Sequence, residues 1–547
     1  MTRKTHMVPT LKTHALVAVA AMTFAALSTA CTGPQPAANA TTTAKPATTT
    51  AKPATTTAKP ATTTAKPETT TTVAAAPAQA SKVVTYPSLL GAARSASYSL
   101  AVNGVPVFVE KFKDISYARY SQSGSTTATI TASENVSQIS VSPKSYGITP
   151  TRAGNTATFT IDHPTKLVVT VNALEKFFLF VDSIETAAPR PADPGVLSAA
   201  GYVAAANGAA PETANLQRAI DAAAATQQVL YIPAGTYRTG ELRLRANSRV
   251  YLAPGALLKS TGVRSDFPDY SMIFGANANN AVIFGRGEID AQGAVIKSSG
   301  DGFRTIRFVN ASNVSVNDVA LRDSSSWTVH LVGVRGASLS NMKIINDLSL
   351  ANIDGIDPDM SRNVTIDGAF IYTSDDCHAI KTSGMNGVAQ ETSSILIKNG
   401  ICWTKKSALK VGTETLHDLH AITFQSNDVI HADRAMAIYI ADGARAYDIH
   451  FVANKSEFVG GDIRQKLFDF NVTRRMTSTP IGSISNVEVR DWIAYSRGVN
   501  TSTITGFDAS HPINQVVFTN NRVAGTSVRT AADIPMTSTN TTALSFA

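Results

Sequence analysis

Acidic residues crowd two short stretches of this 547-residue chain. The first is Asn352–Asp359 (NIDGIDPD), the second is Asp375–Cys377 (DDC), and 21 residues separate Asp354 from Asp375. That interval is close to one turn of a coil of short strands, so we expect the two stretches on neighbouring strands, about 5 Å apart. Carboxylates at that range raise the pKa of one group and leave another ionised, as acid and base catalysis at a glycosidic bond requires. A calcium site and solvated turns are the alternative interpretations.

Short strands are the elements that would position these acids. A small polar residue followed by alternating β-branched residues recurs some 25–35 residues apart, with gaps where a copy is faint, as in Asn280-Ala-Val-Ile, Asn313-Val-Ser-Val and Asn363-Val-Thr-Ile. A strand that recurs at a fixed interval indicates a solenoid. We therefore predict a right-handed parallel β-helix over residues 189–547. An amphipathic helix near Thr213–Ala224 would cover the strand edges at its N-terminal end.

Residues 83–188 show a different pattern. Short alternating apolar runs, such as Leu167/Val169/Val171, are separated by turn signals such as Asn103-Gly104. This pattern predicts a small antiparallel β-sandwich, so the whole chain is assigned to the all-β class. The segment contains no acid pair and no histidine cluster, and we interpret it as a structural spacer.

The N-terminal segments predict export. In residues 1–31, basic residues precede an apolar run too short to span a bilayer, followed by small residues and Cys31. This pattern resembles a bacterial lipoprotein processing site, which would make Cys31 the lipidated N-terminus; plain secretion is the alternative. Residues 32–82 contain AKPATTT repeats, which predict an extended linker. No second stretch of about 20 apolar residues occurs, so we expect membrane contact only through a lipid on Cys31.

The charge and the cysteine content limit the classes of partner that we expect. The net charge is +8, but residues 1–80 hold seven of the basic residues and one acid, so the remainder is nearly neutral. A nucleic-acid partner is therefore not expected. The three cysteines and the histidine spacing offer no zinc ligand set, so we predict no metal site. We also expect no cofactor and a monomeric protein. Cys377 and Cys402 lie one turn apart, which is compatible with a disulfide or with two buried thiols.

The acidic stretches resemble the NTDGxD and DDC motifs of the polygalacturonase-like glycoside hydrolases. Ser326–His330 and Tyr231–Tyr237 are similar to other strands of that family. A sandwich before the β-helix is similar instead to the dextranase and isopullulanase family. The resemblance implies that Asp375 is the general acid, that Asp354 and Asp376 activate water, and that the anomeric configuration is inverted.

The chain departs from the polygalacturonases on the next two turns. Their Gly-His-Gly corresponds here to Lys406-Ser407-Ala408, and their Arg-Ile-Lys to Ala437-Ile438-Tyr439. Arginine is the usual clamp for a carboxylate, so its loss favours a neutral sugar. We expect six residues to contact substrate: Asp357, His378, Lys381, Lys410, Tyr439 and Trp327.

Together these features predict an extracellular, endo-acting, inverting glycoside hydrolase of a neutral polysaccharide. Two alternatives remain open: a polysaccharide lyase or epimerase, which would use a basic side chain such as Lys410, and a non-catalytic adhesin that binds glycan along the solenoid.

Overall fold

The computed structural model describes residues 81–459 and 466–547. The predicted signal segment, Cys31 and the AKPATTT linker lie outside these residues. Within them, no helix is both long enough and apolar enough to cross a membrane.

Residues from Val196 onwards form the predicted parallel β-helix. Most turns of the coil, or rungs, add one strand to each of three sheets, in the order sheet 1, sheet 2, sheet 3; Thr526–Ser527 of sheet 2 is antiparallel to the strand before it. Sheet 1 contains Val196–Ser198, Val229–Ile232, Arg249–Leu252, Val282–Gly285, Ser312–Asn317, Arg335–Ser340, Arg362–Asp367, Thr392–Lys398, Leu419–Gln425, Arg445–Val452, Ser483–Arg490, Ile513–Thr519 and Thr541–Phe546. Sheet 2 contains Asn207–Pro211, Gly235–Thr239, Ala256–Ser260, Glu288–Asp290, Ala320–Arg322, Lys343–Ile345, Phe370–Thr373, Ile401–Thr404, Asp428–Ala432, Lys455–Val459, Ile493–Ala494, Arg522–Val523 and Thr526–Ser527. Sheet 3 contains Leu242–Arg243, Ser271–Ala276, Arg304–Val309, Val329–Val332, Ile356–Asp359, His378–Thr382, Ser407–Thr415, Arg434–Ile440, Lys466–Val472, Ser502–Thr505 and Met536–Thr539.

The recurring small polar residue has a backbone cause. In six of the copies read from the sequence this residue adopts a left-handed conformation: Asn280, Asn313, Asn363, Ser394, Asp448 and Asn486. Asparagine and aspartate tolerate that conformation better than other residues with a side chain. In the copy at Asn514, the left-handed residue is instead its neighbour Gln515. The repeat therefore marks a backbone bend just before or inside these strands of sheet 1.

The interior of the coil is apolar. Stacked residues of successive rungs, such as Val364, Ile395 and Ile422, lie in register and form one continuous core. The predicted helix is present as Thr213–Ala225, and its buried Leu216 and Ile220 join this core at the N-terminal end. A second short helix, Gly293–Ser298, was not predicted. Short 3-10 helices occur at Lys144–Tyr146, Ala199–Gly201, Arg264–Asp266, Met385–Gly387 and Ala531–Asp533.

The N-terminal sandwich consists of two sheets around a separate apolar core. The first contains Lys82–Thr85, Val109–Phe112, Ile115–Ser123, Ile139–Ser142, Thr165–Val171 and Lys176–Ser183. The second contains Tyr98–Val102, Val105–Val107, Thr126–Ala132, Thr151–Ala153 and Thr156–Ile161. All pairs are antiparallel except one, because Lys176–Ser183 runs parallel to Ile115–Ser123. The predicted domain boundary at residues 188 and 189 falls between Ser183 and the first strand of the coil.

The first sandwich sheet packs on the outer face of sheet 2. Phe178 and Phe180 meet Phe370 at ring-centroid distances of 5.0 and 4.9 Å, and Phe178 meets Tyr372 at 5.0 Å. Tyr372 also donates a hydrogen bond to Asp114, at 2.6 Å. The strand Phe370–Thr373 that receives these contacts leads directly into Asp375.

Candidate active site

Both acidic stretches lie on the outer face of sheet 3. The amide of Asp375 donates to the carbonyl of Ile353 at 3.2 Å, and the amide of Gly355 donates to the carbonyl of Asp376 at 2.8 Å. The stretches therefore occupy neighbouring rungs, as the 21-residue interval predicts. We call Asp354, Asp357, Asp375 and Asp376 the acid cluster.

Asp375 is the most accessible member of the acid cluster, since the other three are 0–2% exposed. Burial, followed by the charges of Asp376 and Asp354, raises the pKa of Asp375 to about 7. Its carboxylate accepts a hydrogen bond from the amide of Asp376, at 3.0 Å. A carboxylic acid that remains protonated near neutral pH at the edge of a buried cluster can donate a proton to a bound molecule.

The pKa of Asp376 is shifted in the opposite direction from that of Asp375. Burial alone would raise its pKa, but Lys410 outweighs burial and lowers the pKa below its ordinary value. The Lys410 ammonium donates to one carboxylate oxygen at 2.6 Å, and the amide of Ser407 donates to the other at 2.9 Å. The Nε of Arg434 donates a hydrogen bond to the Ser407 hydroxyl oxygen, at 2.9 Å, and so holds Ser407 in place. Asp376 is therefore held ionised beside a protonated neighbour.

Asp354 is bound to Lys381. The ammonium lies 2.9 Å from Asp354, 3.7 Å from Asp357 and 3.6 Å from Glu414. Burial opposes the charge on Lys381, but Asp354 and Asp357 outweigh burial and raise the pKa of the lysine. Burial also raises the pKa of Asp354, with Asp376 adding to the effect and Lys381 opposing it. One oxygen of Asp354 has no hydrogen-bond partner among the described residues.

Asp357 and Asp359 differ although they share one strand. Neither carboxylate oxygen of the fully buried Asp357 has a hydrogen-bond partner in the described part of the chain, and burial raises its pKa well above the usual range. Asp359 lies 3.0 Å from the ring of His330 and accepts a hydrogen bond from the amide of Ser383 at 2.8 Å. Burial would raise the pKa of Asp359, but these partners outweigh it and lower the pKa. Burial therefore disfavours a charge on Asp357, whereas Asp359 is a paired structural carboxylate.

Two aromatic residues predicted to contact substrate have different surroundings. Trp327 is 6% exposed, and the Lys381 ammonium lies 3.4 Å from its ring centroid. Its ring is therefore engaged in positioning Lys381 and does not offer a free face. Tyr439 is partly exposed, donates its hydroxyl hydrogen to Asp469 at 2.6 Å and lies on the rung after Lys410. Of the two, Tyr439 is the better placed for a substrate contact.

His378 lies on the inner side of the strand. It is fully buried and in register with Ile356 and Leu409, which belong to the apolar core. Its position does not support the predicted contact with substrate. Cys377 and Cys402 also lie in this core as free thiols, so the structure has no disulfide between them.

Sequence reasoning missed several groups beside the acid cluster. Glu414 contacts Lys381, and Arg304 lies 5.0 Å from the Trp327 ring centroid. Arg307 is in register with His330, which is in register with Asp357. The i, i+3 spacing of the two arginines carries no motif, and only the rung register brings them to this face. Across the described residues, no group of three or more His, Cys, Asp and Glu side chains is arranged to hold a metal ion.

Comparisons with known proteins agree with this architecture. The model of glycosyl hydrolases family 28 matches residues 223–539. A probable polygalacturonase of Vitis vinifera is 26% identical over 249 residues, which are 40% of this chain and 50% of that protein. The chain spans about half the length of the curated relatives it matches.

Two solved structures show the same fold. A polygalacturonase from Erwinia carotovora subsp. carotovora has a TM-score of 0.53 and 19% identity, covering 65% of this chain and all of that one. Dex49A from Penicillium minioluteum has a TM-score of 0.54 and 12% identity over 85% of this chain and 96% of that one. The family model covers more than half of the residues, with the acid cluster inside the matched region. This chain belongs to family 28 of the glycosyl hydrolases.

Proposed function

We propose that this protein hydrolyses glycosidic bonds of an extracellular polysaccharide by general acid and base catalysis. One observation carries the proposal: adjacent carboxylates on one face have pKa values displaced in opposite directions, with Asp375 raised to about 7 and Asp376 lowered. Such a pair supplies a proton donor and a proton acceptor at the same pH.

The reaction follows from these protonation states. Asp375 donates its proton to the glycosidic oxygen as the bond from that oxygen to the anomeric carbon breaks. A water molecule held by Asp376 and Asp354 loses a proton to this pair while its oxygen bonds the anomeric carbon. Attack from the face opposite the leaving group inverts the configuration, and both acids return to their starting states through solvent.

The neighbouring cations are proposed to hold the base pair ionised. Lys410 keeps the charge on Asp376, and Lys381 favours the charged form of Asp354 against the effect of burial, because each ammonium lies within hydrogen-bonding distance of its carboxylate. On the rung after Lys410, Ala437 provides no charge and Tyr439 provides a ring. The absence of a charge at Ala437 and the partly exposed ring of Tyr439 support a neutral sugar next to the cleaved bond, and endo-acting cleavage belongs to the proposal.

A glycan panel with detection of new reducing ends tests this proposal. We expect cleavage of at least one polysaccharide, a first product of inverted anomeric configuration by proton NMR, and oligosaccharide products from within the chain. Retained configuration would contradict the roles of Asp376 and Asp354. A product that absorbs in the ultraviolet would indicate the lyase alternative, which the engagement of Lys381 and Lys410 by carboxylates disfavours.

The adhesin alternative predicts glycan binding without turnover, and the same panel decides it. If every glycan that binds remains intact and the Asp375→Asn variant binds equally well, the protein is an adhesin. Export as a monomer with a lipid on Cys31 belongs to the proposal as well. Fractionation of cells that express the Cys31→Ser variant should then move the protein from the membrane to the soluble fraction.

A further inference from the structure

Exposed tyrosines gather where the sandwich meets the coil. Among the described residues, the most exposed tyrosine, tryptophan and phenylalanine side chains are Tyr146, Tyr270 and Tyr495, which are 37–44% exposed. Tyr146 belongs to the 3-10 segment Lys144–Tyr146 of the sandwich, and the Lys144 ammonium lies 5.7 Å from the ring centroid of Tyr495 on the coil. A single exposed aromatic residue is ordinary, but two of three at one junction indicate a contact surface.

Two buried carboxylates of the coil hold this segment in place. The amide of Lys144 donates to Glu457 at 2.5 Å, and the Ser145 hydroxyl donates to Asp428 at 2.8 Å. Both carboxylates belong to residues of sheet 2 that are 4–6% exposed. The backbone that carries Tyr146 is therefore fixed before a ligand binds, so that binding loses little conformational entropy.

A groove of about 280 Å³ opens beside Tyr146 in the sandwich. Its walls combine apolar surface with polar side chains and include Tyr146, Ile148, Thr160, Asp162 and His163. The rings of His163 and Tyr146 meet edge-on, at a centroid distance of 6.4 Å. Apolar walls with a few polar groups are the composition of a small-ligand site, and this volume suits a single sugar ring.

The junction lies outside the cleft that holds the acid cluster. Tyr495 directly follows the sheet 2 strand Ile493–Ala494, four rungs after the strand Phe370–Thr373 that leads into Asp375. Four rungs correspond to about 19 Å along the coil. A sugar bound at this junction and a sugar bound at Asp375 therefore do not compete for the same space.

We propose that Tyr146 and Tyr495 form a non-catalytic binding site for a neutral sugar residue of a polysaccharide. The C–H groups on the face of such a sugar pack on an aromatic ring, and its hydroxyl groups can exchange hydrogen bonds with Asp162 and His163. Lys144 and Asp162 bring charges of both signs, so the surface does not favour an anionic sugar. This inference goes beyond the proposed hydrolysis: the sandwich, predicted to be a spacer, anchors one stretch of a glycan while another lies in the cleft.

Binding to the full-length Asp375→Asn variant tests the site without hydrolysis. The probes are dextran, xylan and a neutral galactan, with polygalacturonate as the anionic glycan, each cast into a native gel whose retardation of the protein reports affinity. We expect at least one neutral glycan to retard the protein. Adding Tyr146→Ala or Tyr495→Ala should weaken that binding roughly tenfold. Tyr146→Phe and Tyr495→Phe keep the rings and should retain most of the affinity.

A matched variant and a second measurement keep the test decisive. Tyr447→Ala removes a partly exposed tyrosine from sheet 1 and should change nothing, and thermal unfolding checks that each variant is folded. With Asp375 intact, Tyr146→Ala should raise KM for a long polysaccharide about tenfold and leave kcat and KM for a short oligosaccharide unchanged. Equal losses with Tyr146→Ala and Tyr447→Ala, or binding of polygalacturonate alone, would overturn the site.

Failure of this site can be told apart from failure of hydrolysis. Binding that depends on Tyr146 and Tyr495 without any cleavage by the unaltered protein would leave the site in place and remove the proposed reaction. Cleavage by a protein whose glycan binding depends on neither tyrosine would do the reverse.

Discussion

Sheets 2 and 3 of the same coil both bury charged residues on their outer faces, but the two groups of residues differ in their hydrogen-bond and ion-pair partners. On sheet 2, Arg322 lies 2.6 Å from Glu110 of the sandwich, and the Tyr117 hydroxyl lies 2.9 Å from Glu110 and 3.0 Å from Glu288. Every carboxylate oxygen of these two glutamates has a partner. On sheet 3, both oxygens of Asp357 and one oxygen of Asp354 have no hydrogen-bond partner among the described residues, although Lys381 lies 3.7 Å from Asp357.

The difference appears in the pKa values. Burial would raise the pKa of Glu288, but Arg119 and Arg322 outweigh burial and lower it. Burial raises the pKa of Asp375 to about 7, and the neighbouring carboxylates reinforce the shift. The ion pairs of sheet 2 dock one domain onto the other, although burial still raises the pKa of Glu110, whereas on sheet 3 the more accessible Asp375 can hold a proton for transfer. A crowd of charged residues therefore does not by itself identify an active site; adjacent carboxylates with pKa values shifted in opposite directions do so better.

The sandwich also supports the catalytic face indirectly. Its aromatic contacts and the hydrogen bond from Tyr372 to Asp114 end on the strand that leads into Asp375. The predicted spacer thus braces the rung that carries the proposed acid.

Removal of the proposed acid should have the largest effect. The Asp375→Asn variant lacks the proton donor, so we expect kcat to fall by about 10² to 10⁴-fold or more. A substrate with an activated leaving group should partly restore the rate, since such a group departs without protonation. The same substrate should not restore Asp376→Asn, whose water stays unactivated. Equal restoration of both variants would contradict the division of roles.

The stability of the Asp375→Asn variant at different pH values also tests the raised pKa of Asp375. The pKa of Asp375 is about 7 in the folded state and about 4 in the unfolded chain, so the contribution of this group to stability is present below pH 4 and is lost as pH rises through 7. The Asp375→Asn variant cannot ionise and should be more stable than the parent above pH 7, and this difference should shrink on acidification. Chemical denaturation at several pH values measures it. A variant less stable than the parent at every pH would contradict the raised pKa.

Removal of one member of a sheet 2 ion pair should instead lower the stability of the protein and leave kcat unchanged. Arg322→Met leaves Glu110 and Asp290 without their cation, and removing one partner of a buried ion pair costs about 3–5 kcal/mol. We expect a lower unfolding midpoint with kcat of the folded fraction unchanged. Arg362→Met, which breaks a half-exposed pair with Glu391 on sheet 1, is the matched control and should cost less than about 1 kcal/mol. A selective loss of kcat in Arg322→Met would show that the two sheets are not separable.

Lys410→Met should have a smaller effect, confined to the acidic side of the pH profile. Without the ammonium the pKa of Asp376 rises, so the base becomes protonated at higher pH and the acidic limb moves towards neutrality. We expect kcat/KM at acidic pH to fall about tenfold, the size of a lost hydrogen bond to a charged group. The alkaline limb, set by Asp375 near pH 7, should move less and towards higher pH, because Lys410 also lowers the pKa of Asp375. Lys398→Met on sheet 1 serves as the control, and an unchanged acidic limb in Lys410→Met would contradict the role of Lys410.

The smallest effect is expected from the N-terminal tail. All residues of the proposed site lie between Arg304 and Asp469, so deletion of residues 1–80 should leave kcat intact and abolish only retention at the cell envelope. Assay of the soluble protein checks this, and a large loss of kcat would contradict it.

The assumption of strict strand alternation explains why His378 was predicted on the wrong face of its strand. Starting from the outward Asp376, alternation would place His378 on the outer face, yet Cys377 and His378 both face inwards. Ala408 and Leu409 on the next rung, and Ala435 and Met436 on the one after, also enter the core as adjacent pairs. The chain turns a corner between sheets 2 and 3 at this point, and alternation applies only after the corner.

The sequence alone determined the rung repeat and the acidic stretches, because both depend on residues close together in the chain. Left-handed bends favour Asn at one position of each rung, and an interval of 21 residues brings Asp354 beside Asp375. Only the tertiary structure decided which charges are paired. Arg119 meets Glu288 across 169 positions, whereas neither carboxylate oxygen of Asp357 has a hydrogen-bond partner in the described residues. Burial and distant partners set the pKa of a group, and neither can be read from its neighbours in sequence.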